Sequence, residues 1–163
     1  MNTNKKIKKL NIKVKVKPRP ETPVKVTGFE RAEYDNSYWF TDSEGYVMNR
    51  SERNSVTTDM LYDTANYHTD KSLAEWCNRS DTLNRKMRRW AAEHNTKPMD
   101  WNKCNAKYYI CYDYEESKVV IYDSLYCAYP GEVFFFDYVI AKAAIKEFGD
   151  EIKWLAENRP EWF

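Results

Sequence analysis

Apolar and polar positions along this chain alternate with two different periods, and the same order of periods occurs twice. Tyr38-Trp39-Phe40 and Tyr46-Val47-Met48 flank the turn sequence Asp42-Ser43-Glu44-Gly45, which predicts two strands joined as a hairpin. Asn66-Tyr67-His68-Thr69 adds a third short extended segment. After it, Leu73, Trp76, Cys77, Leu83, Met87, Trp90 and Ala91 recur at three- and four-residue steps. That spacing predicts a helix from about Asp70 to His94, with Thr69 or Asp70 accepting the free amide hydrogens of its first turn. The order then returns: Tyr108-Tyr109-Ile110-Cys111-Tyr112, a polar turn at Glu115-Glu116-Ser117, Lys118-Val119-Val120-Ile121-Tyr122, and Val133-Phe134-Phe135-Phe136 before a helix opening after Asp137. This second helix presents Ile140, Ala141, Ala144, Ile145 and Phe148 on one face. Gly149 is expected to stop it, with Asp150 capping a short continuation through Ile152, Trp154 and Leu155.

The fold class expected is therefore α+β. It consists of two tandem strand-strand-strand-helix units, each an antiparallel sheet covered by a helix, behind an extended basic N-terminal arm. The arm is placed at residues 1–28, the first unit at 29–98, and the second, with a C-terminal helical tail, at 99–163. A helix covers one face of a three-stranded sheet, so the other face of the second unit is free to display tyrosines beside carboxylates. Tyr112, Asp113, Tyr114, Glu115, Glu116, Asp123, Tyr126 and Tyr129 are candidates for a protein interface, with cross-strand packing as the plainer role for any one tyrosine. Trp162 and Phe163 at the end of the chain are further anchor candidates.

Charge changes the picture, because a net of +1 conceals a division. Residues 1–28 hold Lys5, Lys6, Lys8, Lys9, Lys13, Lys15, Lys17, Arg19 and Lys25 against Glu21 alone, a net of +8, which leaves −7 for the remainder. A basic arm on an acidic body is the pattern of a nucleic-acid or polyanion contact tethered to a separate module. Two other roles stay open for the arm. Ile12-Lys13-Val14-Lys15-Val16-Lys17 alternates with period two and suits an edge strand or latch, and the segment also suits a solubilising tail. Arg85, Lys86, Arg88 and Arg89 form a second dense basic cluster, near the end of the first helix. They either complement the helix dipole there or meet a nucleic acid or acidic partner.

Chemistry-bearing motifs are few. Cys77, Cys104, Cys111 and Cys127 show no C-x-x-C spacing, and His68 and His94 do not pair with them at ligand intervals, so no metal, cofactor or catalytic residue is assigned. Phosphate loops, nucleophile elbows and zinc-helix motifs are missing from the sequence. No apolar run reaches the ~18 residues a membrane helix needs. The lysine-interrupted start lacks the apolar stretch of a secretory signal, so a cytoplasmic protein with no membrane partner is expected.

Phe29-Glu30-Arg31, Tyr38-Trp39-Phe40, Gly45-Tyr46-Val47, Asn66-Tyr67-His68-Thr69-Asp70-Lys71, Leu83-Asn84-Arg85-Lys86, Asp100-Trp101, Lys107-Tyr108-Tyr109-Ile110 and Gly131-Glu132-Val133-Phe134-Phe135 resemble, as a set, one group of small proteins. These are encoded by phages and mobile elements of low-GC Gram-positive bacteria and mostly have no assigned function. His68 stands where phenylalanine is expected. The resemblance implies an accessory gene product acting in the cytoplasm of an infected or lysogenic host, and it carries over no catalytic residue. In that setting the leading expectation is a non-enzymatic inhibitor of a host defence complex, of the anti-CRISPR kind. Its partner is a defence protein or nuclease ribonucleoprotein, and the arm touches RNA or DNA. A nucleic-acid-binding accessory protein of recombination or regulation comes second, and a virion or assembly module third.

Overall fold

Asp42 builds the first hairpin. Its Oδ1 accepts the amide hydrogens of Glu44 and Tyr46 at 3.1 and 2.8 Å, and Gly45 takes φ 90°, which closes the turn between β1 (Ser37–Thr41) and β2 (Val47–Ser51). The strands pair antiparallel with Trp39 opposite Asn49. The structure is a computed structural model and describes residues 26–103, 105–125, 128 and 131–161. The arm candidates Lys5 through Arg19 lie outside the described residues, as do Cys104, Tyr126, Cys127, Tyr129, Trp162 and Phe163.

Eight elements follow in order: β1, β2, α1 (Val56–Asp63), α2 (Lys71–His94), β3 (Lys107–Asp113), β4 (Lys118–Ser124), β5 (Phe134–Phe135) and α3 (Tyr138–Glu157). This is an α+β arrangement of two small antiparallel sheets and three helices. Both long helices start where the sequence predicts. Asp70 accepts the Leu73 amide hydrogen at 2.7 Å, and Asp137 accepts that of Ile140 at 2.9 Å.

Three expectations are corrected. The third strand of the first unit is reduced to a single antiparallel bridge between Trp39 and His68. Helix α1 falls between it and the hairpin, capped by Ser55, whose hydroxyl accepts the Thr58 amide hydrogen at 3.2 Å. Its apolar residues Val56 and Met60 are exposed, so they leave no periodic signature of burial. Gly149 does not stop the second helix, and Asp150 does not begin another, because α3 runs unbroken to Glu157. Phe148 and Leu155 continue one buried stripe, and that burial outweighs the ~1 kcal/mol a mid-helix glycine costs.

Two cores result. Tyr38, Phe40 and Tyr67 form the smaller, with the Tyr38 and Tyr67 rings stacked at 4.1 Å. The larger joins Leu83, Met87 and Ala91 of α2 to Phe135 and to Ala141, Ala144, Phe148 and Leu155 of α3. Tyr108, Ile110 and Ile121 pack against it from the second sheet, whose strand order is β4-β3-β5. Helices α2 and α3 run antiparallel, fastened where Trp76 Nε1 donates to the Leu155 carbonyl at 3.0 Å and Arg79 grips Glu151. Asn95, just past α2, holds β5 from both sides, donating to the Phe134 carbonyl at 3.2 Å and accepting the Phe136 amide hydrogen at 2.8 Å. None of the described helices is long and apolar enough to cross a membrane.

Candidate nucleic-acid interface

At about 100° per residue, Arg85, Lys86, Arg88 and Arg89 project from α2 on the side away from Leu83, Met87 and Ala91. All four are exposed, and none is ion-paired among the described residues. Arg85 donates to Thr82 Oγ1 at 3.0 Å and Arg88 to the Gly131 carbonyl at 3.2 Å, contacts that steady the guanidinium groups without neutralising them. The dipole role weakens here, because His94 is the basic residue of the last turn and the cluster sits farther back, where the dipole's influence has faded.

Beside this ridge lie two clefts. The larger, about 690 Å³, is floored by Leu83, Trp90 and Phe148 and rimmed by Arg79, Lys86 and Arg89 on α2 against Glu147 and Glu151 on α3. The second, about 520 Å³, lies between the β1–β2 turn, the connection from α1 to α2, and α2 itself, with Arg85 and Asp81 among its lining groups. Gly45, Asn78 and Thr82 belong to both, so the clefts meet beneath the hairpin turn. Asn78 Nδ2 donates to the Gly45 carbonyl at 2.8 Å and so pins that turn over the helix. Arg79, basic by sequence, is not free. Its guanidinium binds Glu151 side-on, with Nη2 to Oε2 at 2.7 Å, and lies over the Trp154 ring at 3.6 Å. The Glu151 carboxyl is held below its usual range chiefly by that hydrogen bond.

His68 lines the second cleft at 2% exposure. Phe29 meets its ring edge-on at 5.1 Å, and its backbone is bonded to Trp39 in both directions, at 2.7 and 2.8 Å. Burial pushes its pKa down, against the pull of Asp81 and Asp70, so the ring is neutral at pH 7. Its Nδ1 and the Oδ1 of Asn78 are buried without a hydrogen-bond partner.

The carboxylate-rich turn of the second sheet is largely engaged with itself. Asp113 Oδ1 accepts the amide hydrogens of Glu115 and Glu116 at 2.9 and 3.0 Å, and Glu116 pairs with Lys118. Tyr112 and Tyr114 pack edge to face at 5.1 Å, and their hydroxyls reach Glu157 and Arg159, both at 3.4 Å, so they lie over the end of α3. Asp123 is exposed on β4. The face of the second sheet that no helix covers instead carries Tyr109 and Tyr122, their rings 6.0 Å apart, with Cys111 and Val120. The strand alternation of Tyr109 carried the signal for that face.

Glu52 is a further group that sequence reasoning missed. It is 0% exposed and receives Arg31 Nε at 3.1 Å, Tyr67 Oη at 3.0 Å and the Asn54 amide hydrogen at 2.6 Å. Lys107 is buried in the second sheet, donating to the carbonyls of Lys103 and Leu125 at 2.9 and 3.2 Å. Both groups are saturated by partners and so read as structural. Among the described residues, no group of three His, Cys, Asp or Glu side chains is placed to hold a metal ion. Comparison with protein-family models, curated proteins and solved structures finds no match to this chain. The arrangement can bind an anion along α2.

Proposed function

We propose that this protein is a non-enzymatic inhibitor that a mobile element directs at a host defence complex, of the anti-CRISPR kind. It seats on the RNA or DNA of a nuclease ribonucleoprotein through the α2 ridge. The observation that carries this reading is the row of four unneutralised cations beside a groove of mixed charge. A phosphate backbone gains from contact with such a row, because each neutralised phosphate releases condensed counterions. The carboxylates of the groove, Glu147 across it on α3 and Glu93 on α2 one turn after Arg89, favour basic protein surface, so a partner holding both nucleic acid and basic protein suits the site better than bare duplex. The Lys-rich arm at residues 1–28 adds charge of the same sign.

A nucleic-acid-binding accessory protein is the second reading, favoured by the same unpaired cations. Binding of the purified protein to an RNA-guided nuclease loaded with its guide, to the unloaded nuclease, and to the naked guide separates the two. The inhibitor reading requires tight binding to the loaded complex and weak binding to naked RNA, whereas equal affinity for both supports the accessory role. Reversing Lys86, Arg88 and Arg89 to glutamate should weaken either interaction and flatten its log-log salt slope by about 2 to 3. A slope unchanged by that reversal removes the ridge from function.

A further inference from the structure

β4 is the outer strand of the second sheet, and among the described residues only β3 pairs with it. Its residues keep register with β3 from Lys118 opposite Asp113 to Ser124 opposite Lys107, without a bulge, proline or glycine. Alternate backbone groups of β4 therefore point away from the sheet along an edge about 20 Å long, a template for a further strand. The two sides of that edge differ. Toward α3, Val119 and Ile121 are only half-buried, and Tyr138, whose ring meets Tyr108 at 5.9 Å, is exposed. Lys142 and Lys146 flank α3 next to Tyr138 and are exposed, so they repel cations there and cover apolar side chains with their stems. The opposite side carries exposed Tyr122, its hydroxyl 3.5 Å from Asp113 Oδ2, and at the β3–β4 turn Asp113, Glu115 and Glu116 outnumber Lys118. A strand that fits this edge has apolar residues on one side and cations on the other, with period two.

We propose that the chain's own segment Ile12-Lys13-Val14-Lys15-Val16-Lys17 adds to β4 as a fourth, antiparallel strand, with Ile12, Val14 and Val16 toward α3 and the three lysines toward Tyr122 and Asp113. The tether sets the direction. Val26 lines a groove with Asn158 and Pro160, just past α3, and Arg159 between them reaches the Tyr114 hydroxyl at 3.4 Å, four residues before β4 begins. The chain thus joins the body near the start of β4. Residues 18–25, three of them proline, span up to about 25 Å and bring Lys17 to the Lys118 end. Ile12 then lies toward the far end, so the segment runs opposite to β4. Lys17 directly opposite Lys118 would repel, which favours the register with Val16 opposite Ile121 and Lys15 opposite Tyr122. This pairing is independent of the α2 ridge, closes the edge to other extended chains, and leaves Lys5, Lys6, Lys8 and Lys9 outside the paired segment.

Amide hydrogen exchange of the full chain, read by mass spectrometry, tests the added strand. Residues 12–17 are expected to exchange at least about tenfold more slowly than a free peptide of the same sequence. Val14→Pro removes a ladder donor from the arm and touches nothing in the body. In the full chain it should return residues 12–17 to the free-peptide rate and speed exchange across 118–124, while α3 and the circular dichroism spectrum stay unchanged. Exchange of residues 12–17 at the free-peptide rate in the wild type overturns the proposal. Protection of 12–17 with 118–124 indifferent to Val14→Pro places the segment on another surface and overturns it as well. Protection of 118–124 that grows with protein concentration, while 12–17 exchange freely, gives the edge to a second copy of the chain instead.

Discussion

Replacing Glu52 with glutamine tests whether the first sheet is held by a buried charge or by its aromatic core. Glu52 is 0% exposed, and its two oxygens accept from Arg31 Nε at 3.1 Å, Arg31 Nη2 at 3.3 Å, Tyr67 Oη at 3.0 Å and the Asn54 amide at 2.6 Å. Glutamine preserves the volume but turns one acceptor into a donor among donors. Breaking one side of such a buried pair costs about 3 kcal/mol, against a typical domain stability of about 5–15 kcal/mol. For a chain of this size that corresponds to a fall in Tm of about 6–12 °C. Acid supplies a second signature. Burial alone would raise the Glu52 carboxyl, but the hydrogen bonds from Arg31, Asn54 and Tyr67 outweigh it and hold the pKa below the usual value. A folded pKa below the unfolded one adds stability that is complete above the unfolded carboxylate value of about 4.3 and is lost as pH falls through the folded value. Urea unfolding followed by circular dichroism should therefore show a wide gap between wild type and Glu52→Gln near pH 7, closing as pH falls below the ordinary carboxylate range and the wild-type carboxyl protonates. A gap under about 1 kcal/mol at neutral pH, or one that does not narrow in acid, would refute the reasoning.

Three further outcomes follow from the same geometry. Gly28 has φ +88°, and a Cβ there would lie 2.7 Å from Leu73 Cδ2, so Gly28→Ala should cost about 2 kcal/mol in urea unfolding; a neutral result would mean that the loop shifts freely. His68→Phe should raise the stability of the unliganded protein by about 1 kcal/mol, because it removes a buried nitrogen without a partner; a lower Tm would show that the nitrogen is satisfied. Burial pushes the Cys77 thiol up to about 11, so at neutral pH iodoacetamide should label it far more slowly in the native protein than in urea; equal rates would show that the site is open.

Much of the fold was legible because its signals are local. Asp70 and Asp137 announce the two long helices by the amide hydrogens they accept, and the turn at Asp42 to Gly45 announces the first hairpin. What escaped depends on contacts remote in sequence. Helix α1 buries Thr58 and exposes Val56 and Met60, so its apolar residues follow no readable face. Glu52 looks like any surface glutamate until Arg31 and Tyr67, 21 and 15 residues away, close over it. His68 and Asn78 were equally silent as a pair. His68 reads as a substituted aromatic, and Asn78 as one polar residue on a mixed helix, until the hairpin turn lies across both.

The division of charge also proves finer than arm against body. The net of −7 after residue 28 marks an acidic globule, in which some carboxylates are locally occupied. Asp35 pairs with Arg53, Asp59 with Arg31, Asp100 with Lys103, Glu116 with Lys118 and Glu151 with Arg79, but each pair takes up a cation as well, so the excess of negative charge stays. None of the α2 cluster is ion-paired among the described residues, although Lys86 and Arg89 share a cleft with Glu75, Glu93, Glu147 and Glu151, and Arg85 one with Asp42, Glu44 and Asp81. At a Debye length of about 8 Å in physiological salt, a partner approaching α2 senses Arg85, Lys86, Arg88 and Arg89 together with the carboxylates of the adjoining clefts, rather than the net charge of the domain. A polyanion can then dock on a body whose total charge is negative. It follows that binding should survive removal of residues 1–25 with reduced affinity, and that the residual salt slope should belong to the helix.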